Sequence, residues 1–544
     1  MSLYKHTSEE HLPGKLPAGI RRERITISEF GGAKSLPGCE GTANLSPRCL
    51  PAIATRRPRG VLSAALGSGT PHGMANFEGD LYFVRGTALY RMGTAGAAAI
   101  GTVSDTDKVF YVFGDRLYIF PDKLYMEAGG TALMPMELDS GVVGKSTFKG
   151  STVTLPEGMG WTALGFAAGD CLRVVNADDD MPAPEGYYRI MDIRGRTATV
   201  QGTFPATYES SAYFRRVVPD MERVCVSGDR VYGVAGKDVY VSGAGRPLDF
   251  YSKGASDGSD AVTLRVDSDG EITACAAWQG YVVLFKSDRI CKLLGTRADS
   301  FTLQERPAVG ISAPLSDTLC EVGGDLYYLA ESGVYRYRGQ EPERISPVME
   351  SGVKGGCGGT DGAAYYLAVQ TLGEDEWHQY CYLPERGEWF DEGTLHPKSM
   401  VCRKGFLCIQ DVDGYLWLTS SDGRETYCAE TEFSVVGPVR AEITLPPDYG
   451  FQPGGCRLVG VSLRVTGGDA SVLYVSADYA DGAAGEDADG TRQVSVGLVS
   501  GNITDRLLRF PVAPRPCDAV RLRIAMAGDW IIHSVIKEYE RSGQ

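Results

Sequence analysis

The chain has 544 residues, a formal net charge of −15, 43% hydrophobic and 23% charged residues. That balance excludes wholesale disorder, and the negative sign excludes a general nucleic-acid coat, which needs a basic surface. No run approaches the ~20 apolar residues of a membrane-spanning helix, so no membrane insertion is expected.

With 69 Gly, 28 Pro and 28 Tyr, the composition favours short strands joined by tight turns. The start, from Met1 to Glu10, has no apolar signal-peptide core, and folding in a cytoplasm is expected. The 14 Cys run from Cys39 to Cys517 without a CxxC pair, which reads as reduced, mostly buried thiols. The six His join no cluster, so neither a metal centre nor a cofactor is expected.

Residues 1–60 carry Pro, Gly and little periodicity, and read as an N-terminal arm or strap. Two arginine clusters there, Arg21-Arg22-Glu23-Arg24 and Arg56-Arg57-Pro58-Arg59, oppose the chain's net sign. Arginine forks pair with carboxylates, phosphates and carbonyls, so docking onto an acidic neighbour or onto DNA is one reading. Ordinary surface charge is the plainer one.

From residue 61 a pattern recurs: a Gly-Asp or Asp-Gly turn, then a short apolar strand centred on an aromatic. Its seven copies include Gly79-Asp80-Leu81-Tyr82, Gly114-Asp115-Arg116-Leu117-Tyr118, Gly228-Asp229-Arg230-Val231-Tyr232 and Gly324-Asp325-Leu326-Tyr327. A looser copy starts at Gly280, and the last two start at Asp361 and Asp413. Most lead into a second strand, so each is a β-hairpin. Spacings of about 35–52 residues fit the four-stranded blades of a β-propeller, of about seven blades, over 61–138 and 218–428. An irregular multi-sheet β protein is the alternative.

The one long interval is explained by an insertion over 139–217. Five short strands there, from Ser151–Leu155 to Tyr213–Val217, predict a small barrel-like domain. Past residue 428 seven alternating strands, from Val439–Leu445 to Trp530–Glu538, predict a C-terminal β-sandwich over 429–544. The fold class is thus all-β.

A propeller does not specify a function. The chain has no nucleophile elbow, phosphate loop or His-Glu-x-x-His helix. Asp257, Asp260, Asp267 and Asp269 could hold Ca²⁺ from loops, but they read first as turn carboxylates. Glu374-Asp375-Glu376 and Asp391-Glu392, near Trp377 and Trp389, could serve as glycosidase carboxylates, though acidic loops at strand ends are commoner. The expectation is no enzyme activity.

The run from Asn44 to Arg59, with Asn44-Leu-Ser46, Leu50-Pro51 and Arg57-Pro58-Arg59, resembles an N-terminal signature of bacteriophage virion proteins. Pro219–Gly233, Val241–Phe250, Phe285–Ile290 and Arg515–Asp518 are similar to later segments of that group. More distantly, the chain resembles the propeller-based nozzle or head-to-tail stabilisation proteins of short-tailed phages. That resemblance implies a structural protein of the virion tail, assembled in the bacterial host cytoplasm. It implies a hexameric ring of copies around the DNA ejection channel, with adaptor or portal-side and tail-tip proteins as partners and non-specific passage of DNA. Subunit docking would then fall to Arg21, Arg22, Arg24, Arg56, Arg57, Arg59 and Trp530. The alternative is a receptor- or glycan-binding propeller on a virion or cell surface, with Trp161, Trp377 and Trp389 as exposed stacking platforms.

Overall fold

The computed structural model describes residues 20–25, 42–49, 52–63, 66–93, 96–346, 352–373, 375–419, 425–429, 432–445, 448–449, 456–480, 491–513 and 519–541. Among them the chain is almost wholly β-strand, with a 3₁₀ turn at Ala313–Thr318. Seven four-stranded antiparallel sheets succeed one another from Pro71 to Thr419.

The turns explain the repeat seen in the sequence. In the first sheet Phe77 pairs with Asp80, leaving Glu78 (φ 52°) and Gly79 (φ 79°) as a two-residue turn. Gln279-Gly280, Gly323-Gly324 and Lys404-Gly405 repeat it, each with two positive φ values. Two left-handed residues in succession match the right-handed twist of the flanking strands, and glycine takes that conformation without a Cβ penalty. The copy at Asp413-Gly414 differs: it precedes the third strand of its sheet, Leu416–Thr419, and the first turn there is Lys404-Gly405.

The chain divides into two compact units, and the division falls within the fifth sheet, between Asp325–Ala330 and Gly333–Tyr337. One unit comprises residues 66–331 and 337–342. Its first four sheets begin with Pro71–Phe77, Val109–Phe113, Arg223–Ser227 and Ala274–Trp278, and each of these strands touches the next. Because side chains alternate along a strand, each sheet presents an apolar face to either neighbour. Phe77 and Tyr82 meet Leu117 and Met126, while Tyr111 and Phe120 meet Val231 and Phe250. Val234 and Val239 meet Val282 and Leu284.

Between the second and third sheets, Leu138–Arg216 forms a closed six-stranded barrel. Its core holds Phe148, Trp161, Phe166, Ile190 and Phe214, with the rings of Trp161 and Phe214 4.9 Å apart. Leu138–Lys149 is the strand the periodicity did not foresee. Gly141 and Gly144 break its alternation, and its register shifts twice. Arg216 ties the barrel to the second sheet: Nη1 donates to both Asp170 oxygens (3.0 and 3.1 Å) and Nε to the Met136 carbonyl (2.7 Å).

The other unit comprises residues 1–65, 332–336 and 343–544. It holds the sixth and seventh sheets and two six-stranded sheets that share one core. One of the pair runs Leu45–Cys49, Ala52–Thr55, Trp530–Arg541, Cys456–Gly467, Ile503–Pro511, with Ile20–Ile25 also on Trp530–Arg541. The other runs Thr42–Ala43, Arg440–Thr444, Ala519–Ala527, Val472–Ala480, Thr491–Ser500, with Asp448–Tyr449 on Ala519–Ala527. Leu463 and Val535 from one sheet and Val475 and Ile524 from the other are fully buried in that core.

The expected N-terminal arm is therefore corrected. Its described strands are sheet members, and Arg59–Ser63 supplies the fourth strand of the seventh sheet beside Leu416–Thr419. Most of the acidic stretch after Asp478 lies outside the described residues.

Candidate functional site

The arginines proposed for docking divide by burial. Arg56 is buried, and its Nε donates to Asn44 Oδ1 at 2.7 Å. Arg59 is buried, and its Nη2 donates to the Glu392 carbonyl at 2.5 Å. Both act as internal ties, which removes them as docking groups. Arg57 is exposed, its guanidinium 6.0 Å from the Phe406 ring centre. Arg21, Arg22 and Arg24 lie on a strand paired with Trp530–Arg541, Arg22 opposite Glu538, and their side chains are outside the described residues. Trp530 is corrected too. It is fully buried, and its Nε1 donates to the Val472 and Ala527 carbonyls.

The aromatic platforms divide the same way. Trp161 is sealed in the barrel core, with Nε1 on the Val153 carbonyl at 3.3 Å. Trp389 is sealed beside Tyr382, with Nε1 on the Ile345 carbonyl at 3.0 Å. Neither can stack on a ligand. Trp278 and Trp417 are buried as well. Of the chain's six tryptophans, Trp377 alone is half-exposed.

Trp377 lies just before the strand His378–Leu383 of the sixth sheet, stacked on the ring of His396, with centroids 4.2 Å apart and planes 14° from parallel. Main-chain bonds hold the pair: the Leu395 N–H donates to the Trp377 carbonyl (3.2 Å), and the Val412 N–H to the His396 carbonyl (3.1 Å). Burial pushes the His396 imidazole below its ordinary range, against the opposing pull of Asp413. A neutral ring stacks on indole without a charge to desolvate. Leu372 and Val412, 56% and 37% exposed, directly follow the second strands of the sixth and seventh sheets. Asp375 and Glu376, directly before Trp377, are exposed carboxylates, while Glu374 lies outside the described residues. The sequence signal for Trp377 was its acidic neighbours; His396, 19 positions later, gave none.

The remaining acidic candidates have structural occupations. Asp391 and Glu392 are consecutive on one strand, where the register against His378–Leu383 shifts, and Glu392 is buried. Asp391 Oδ1 accepts the Gly393 N–H at 2.6 Å. Asp257 Oδ1 accepts the Ser259 N–H, and Asp260 Oδ2 accepts the Ala255 N–H, as turn caps do. Among the described residues no group of three His, Cys, Asp or Glu side chains is placed to hold a metal ion.

Buried cations, Arg230 and Lys286 among them, escaped the sequence reading. Arg230 is fully buried and donates to four carbonyls, of Ser242, Gly258, Asp260 and Thr296, at 2.6–2.9 Å. It fastens the long loop between Asp238–Val241 and Val262–Arg265. Lys286 Nζ donates to the Ser268 carbonyl and hydroxyl, both at 2.8 Å, and burial pulls its ammonium below the ordinary lysine range.

No family model and no curated protein sequence matches the chain. Among solved structures it is similar to PorZ, a bacterial surface component of the type-IX secretion system of Porphyromonas gingivalis. That match has 12% identity and a TM-score of 0.36, over 74% of this chain and 44% of that one. It is similar to the extracellular domain of a hybrid two-component system of B. thetaiotaomicron, at 10% identity and a TM-score of 0.29, over 68% and 40%. It is also similar to Hsv2 of Kluyveromyces lactis, at 9% identity and a TM-score of 0.29, over 71% and 95%. The chain spans less than half the length of the first two.

Proposed function

We propose that the seven sheets are the blades of a β-propeller and that the chain is a non-catalytic, glycan-binding member of that architecture, with Trp377 as its stacking platform. Support for the blades comes from the order of the sheets, from first strands that touch in succession through the first four sheets and between the sixth and seventh, and from a last sheet completed by Arg59–Ser63. The observation that carries the binding reading is the Trp377–His396 stack, the one place where a tryptophan reaches the surface. The apolar face of a sugar ring packs on an indole much as another ring does, and the Asp375 and Glu376 carboxylates can accept its hydroxyls. No proton transfer is asked of the protein, so paired catalytic carboxylates are not needed.

A glycan array probed with the purified chain tests this. Hits that disappear in Trp377→Ala, with an unchanged melting curve, support it. An array without hits overturns it.

The phage tail-ring reading is a second proposal, resting on sequence resemblance. Its docking set loses Arg56, Arg59 and Trp530 to the interior and keeps the exposed Arg57. Negative-stain images showing rings with a hole wide enough for duplex DNA would favour it over an isolated binding protein.

A further inference from the structure

Ten cysteines have described side chains. Cys402 and Cys408, the closest in sequence, sit on paired strands opposite Leu407 and Val401 rather than opposite each other. Cys225 and Cys275 are fifty positions apart in the sequence, yet they meet. Cys225 lies in Arg223–Ser227 and Cys275 in Ala274–Trp278, the first strands of the third and fourth sheets, which touch side by side. Both side chains pack on the same apolar cluster between those sheets, around Tyr232, Val282 and Leu284. Cys275 is the neighbour that acts most strongly on the Cys225 thiol.

We propose that Cys225 and Cys275 form an oxidative modification site: a dithiol that a small disulfide converts into a covalent staple between the third and fourth sheets. The thiolate of one cysteine attacks the small disulfide and releases one thiol, leaving a mixed disulfide. The second cysteine then attacks the protein sulfur of that bond, forms Cys225–Cys275 and releases the second thiol. Two protein thiols are oxidised, one small disulfide is reduced to two thiols, and the balance needs nothing else. Both residues are partly exposed. The neighbouring Cys275 thiol, and then burial, hold the Cys225 thiol well above the ordinary cysteine range. Reducing conditions keep the pair a dithiol, and a thiol held in its protonated form attacks slowly, which suits a staple that closes only where small disulfides are abundant. Closing a loop of that length restricts the unfolded chain, which is the source of the added stability.

The test uses the wild-type chain. Native protein is incubated with oxidised glutathione, quenched with an alkylating agent in acid, digested without reduction and mapped by mass. One cross-linked peptide pair joining Cys225 to Cys275 is expected. With it should come a mass loss of about 2 Da and a melting midpoint several degrees higher that dithiothreitol reverses. Recovery of Cys225 and Cys275 both alkylated, or each carrying glutathione, after other cysteines have reacted would overturn the proposal. So would a cross-link that forms only in denatured protein. In Cys275→Ser the pair product should vanish and Cys225 should stop at the glutathione adduct; a persisting product of the same mobility would assign the bond elsewhere.

Discussion

Arg59 Nη2 donates to the main-chain carbonyl of Glu392 at 2.5 Å, joining a strand near the start of the chain to the last strand of the sixth sheet. The guanidinium is buried, and Arg59 and Arg56 both exert an attractive field on the buried Glu392 carboxyl. A residue that looks from sequence like a docking charge is therefore part of the fold. Arg59→Ala is expected to cost about 2–4 kcal/mol, because it orphans buried acceptors and removes a cation from a buried acid. Arg57→Ala, two residues away but exposed, should stay within about 0.5 kcal/mol. Urea titrations of the two variants decide it; equal costs would contradict the division.

Glu392 also sets a pH dependence. Burial pushes its carboxyl above the ordinary glutamate range, with Arg59 and Arg56 pulling the other way. The folded chain then keeps this proton at pH values where the unfolded chain has released it. The resulting stability is complete below the ordinary value of 4.5 and lost as pH rises through the folded value. Glu392→Gln should lose less stability than the parent as pH rises above the ordinary glutamate value. Parallel profiles would show that Glu392 ionises as readily in the folded chain as in the unfolded one.

Trp161 is expected to matter for the barrel and not for binding. Trp161→Ala empties the centre of a core built on Phe148, Phe166 and Phe214, at about 3–5 kcal/mol. Near-ultraviolet circular dichroism should fall with it. A variant as stable as the parent would contradict the packing.

The turn at Lys404-Gly405 offers a gain. Lys404 holds φ 52°, a conformation that asparagine and glycine take more readily. Lys404→Asn should raise stability by a few tenths of a kcal/mol, whereas Gly405→Ala should lower it by about 1 kcal/mol. Matched thermal melts would show the opposite signs, and a loss in both would argue against the left-handed turn.

How much of this was legible in the sequence follows from the range of each interaction. Hairpins such as Ser227↔Arg230 are local, and their glycine turns announce them. The strand Leu138–Lys149 stayed hidden because glycines interrupt its alternation. The N-terminal strands stayed hidden because their partners are distant: Thr42 pairs with Ile443 and Ile53 with Ile532. No local pattern distinguishes an arginine that will cap distant carbonyls from one that will face water, so Arg56, Arg57 and Arg59 looked alike. The same holds for Trp161, Trp377 and Trp389, whose burial is decided by packing that alternation alone does not specify.

The binding role of Trp377 is tested most directly by nitrogen-15 spectra of the indole groups, assigned by single Trp→Phe substitutions and followed during titration with a sugar drawn from the array. Six indole signals are available, five of them from buried rings. The expected result is a saturable shift of the Trp377 signal alone, absent in Trp377→Ala. A Trp377 signal that stays fixed while the sugar binds, or a shift confined to the buried rings, would contradict the assignment of the platform.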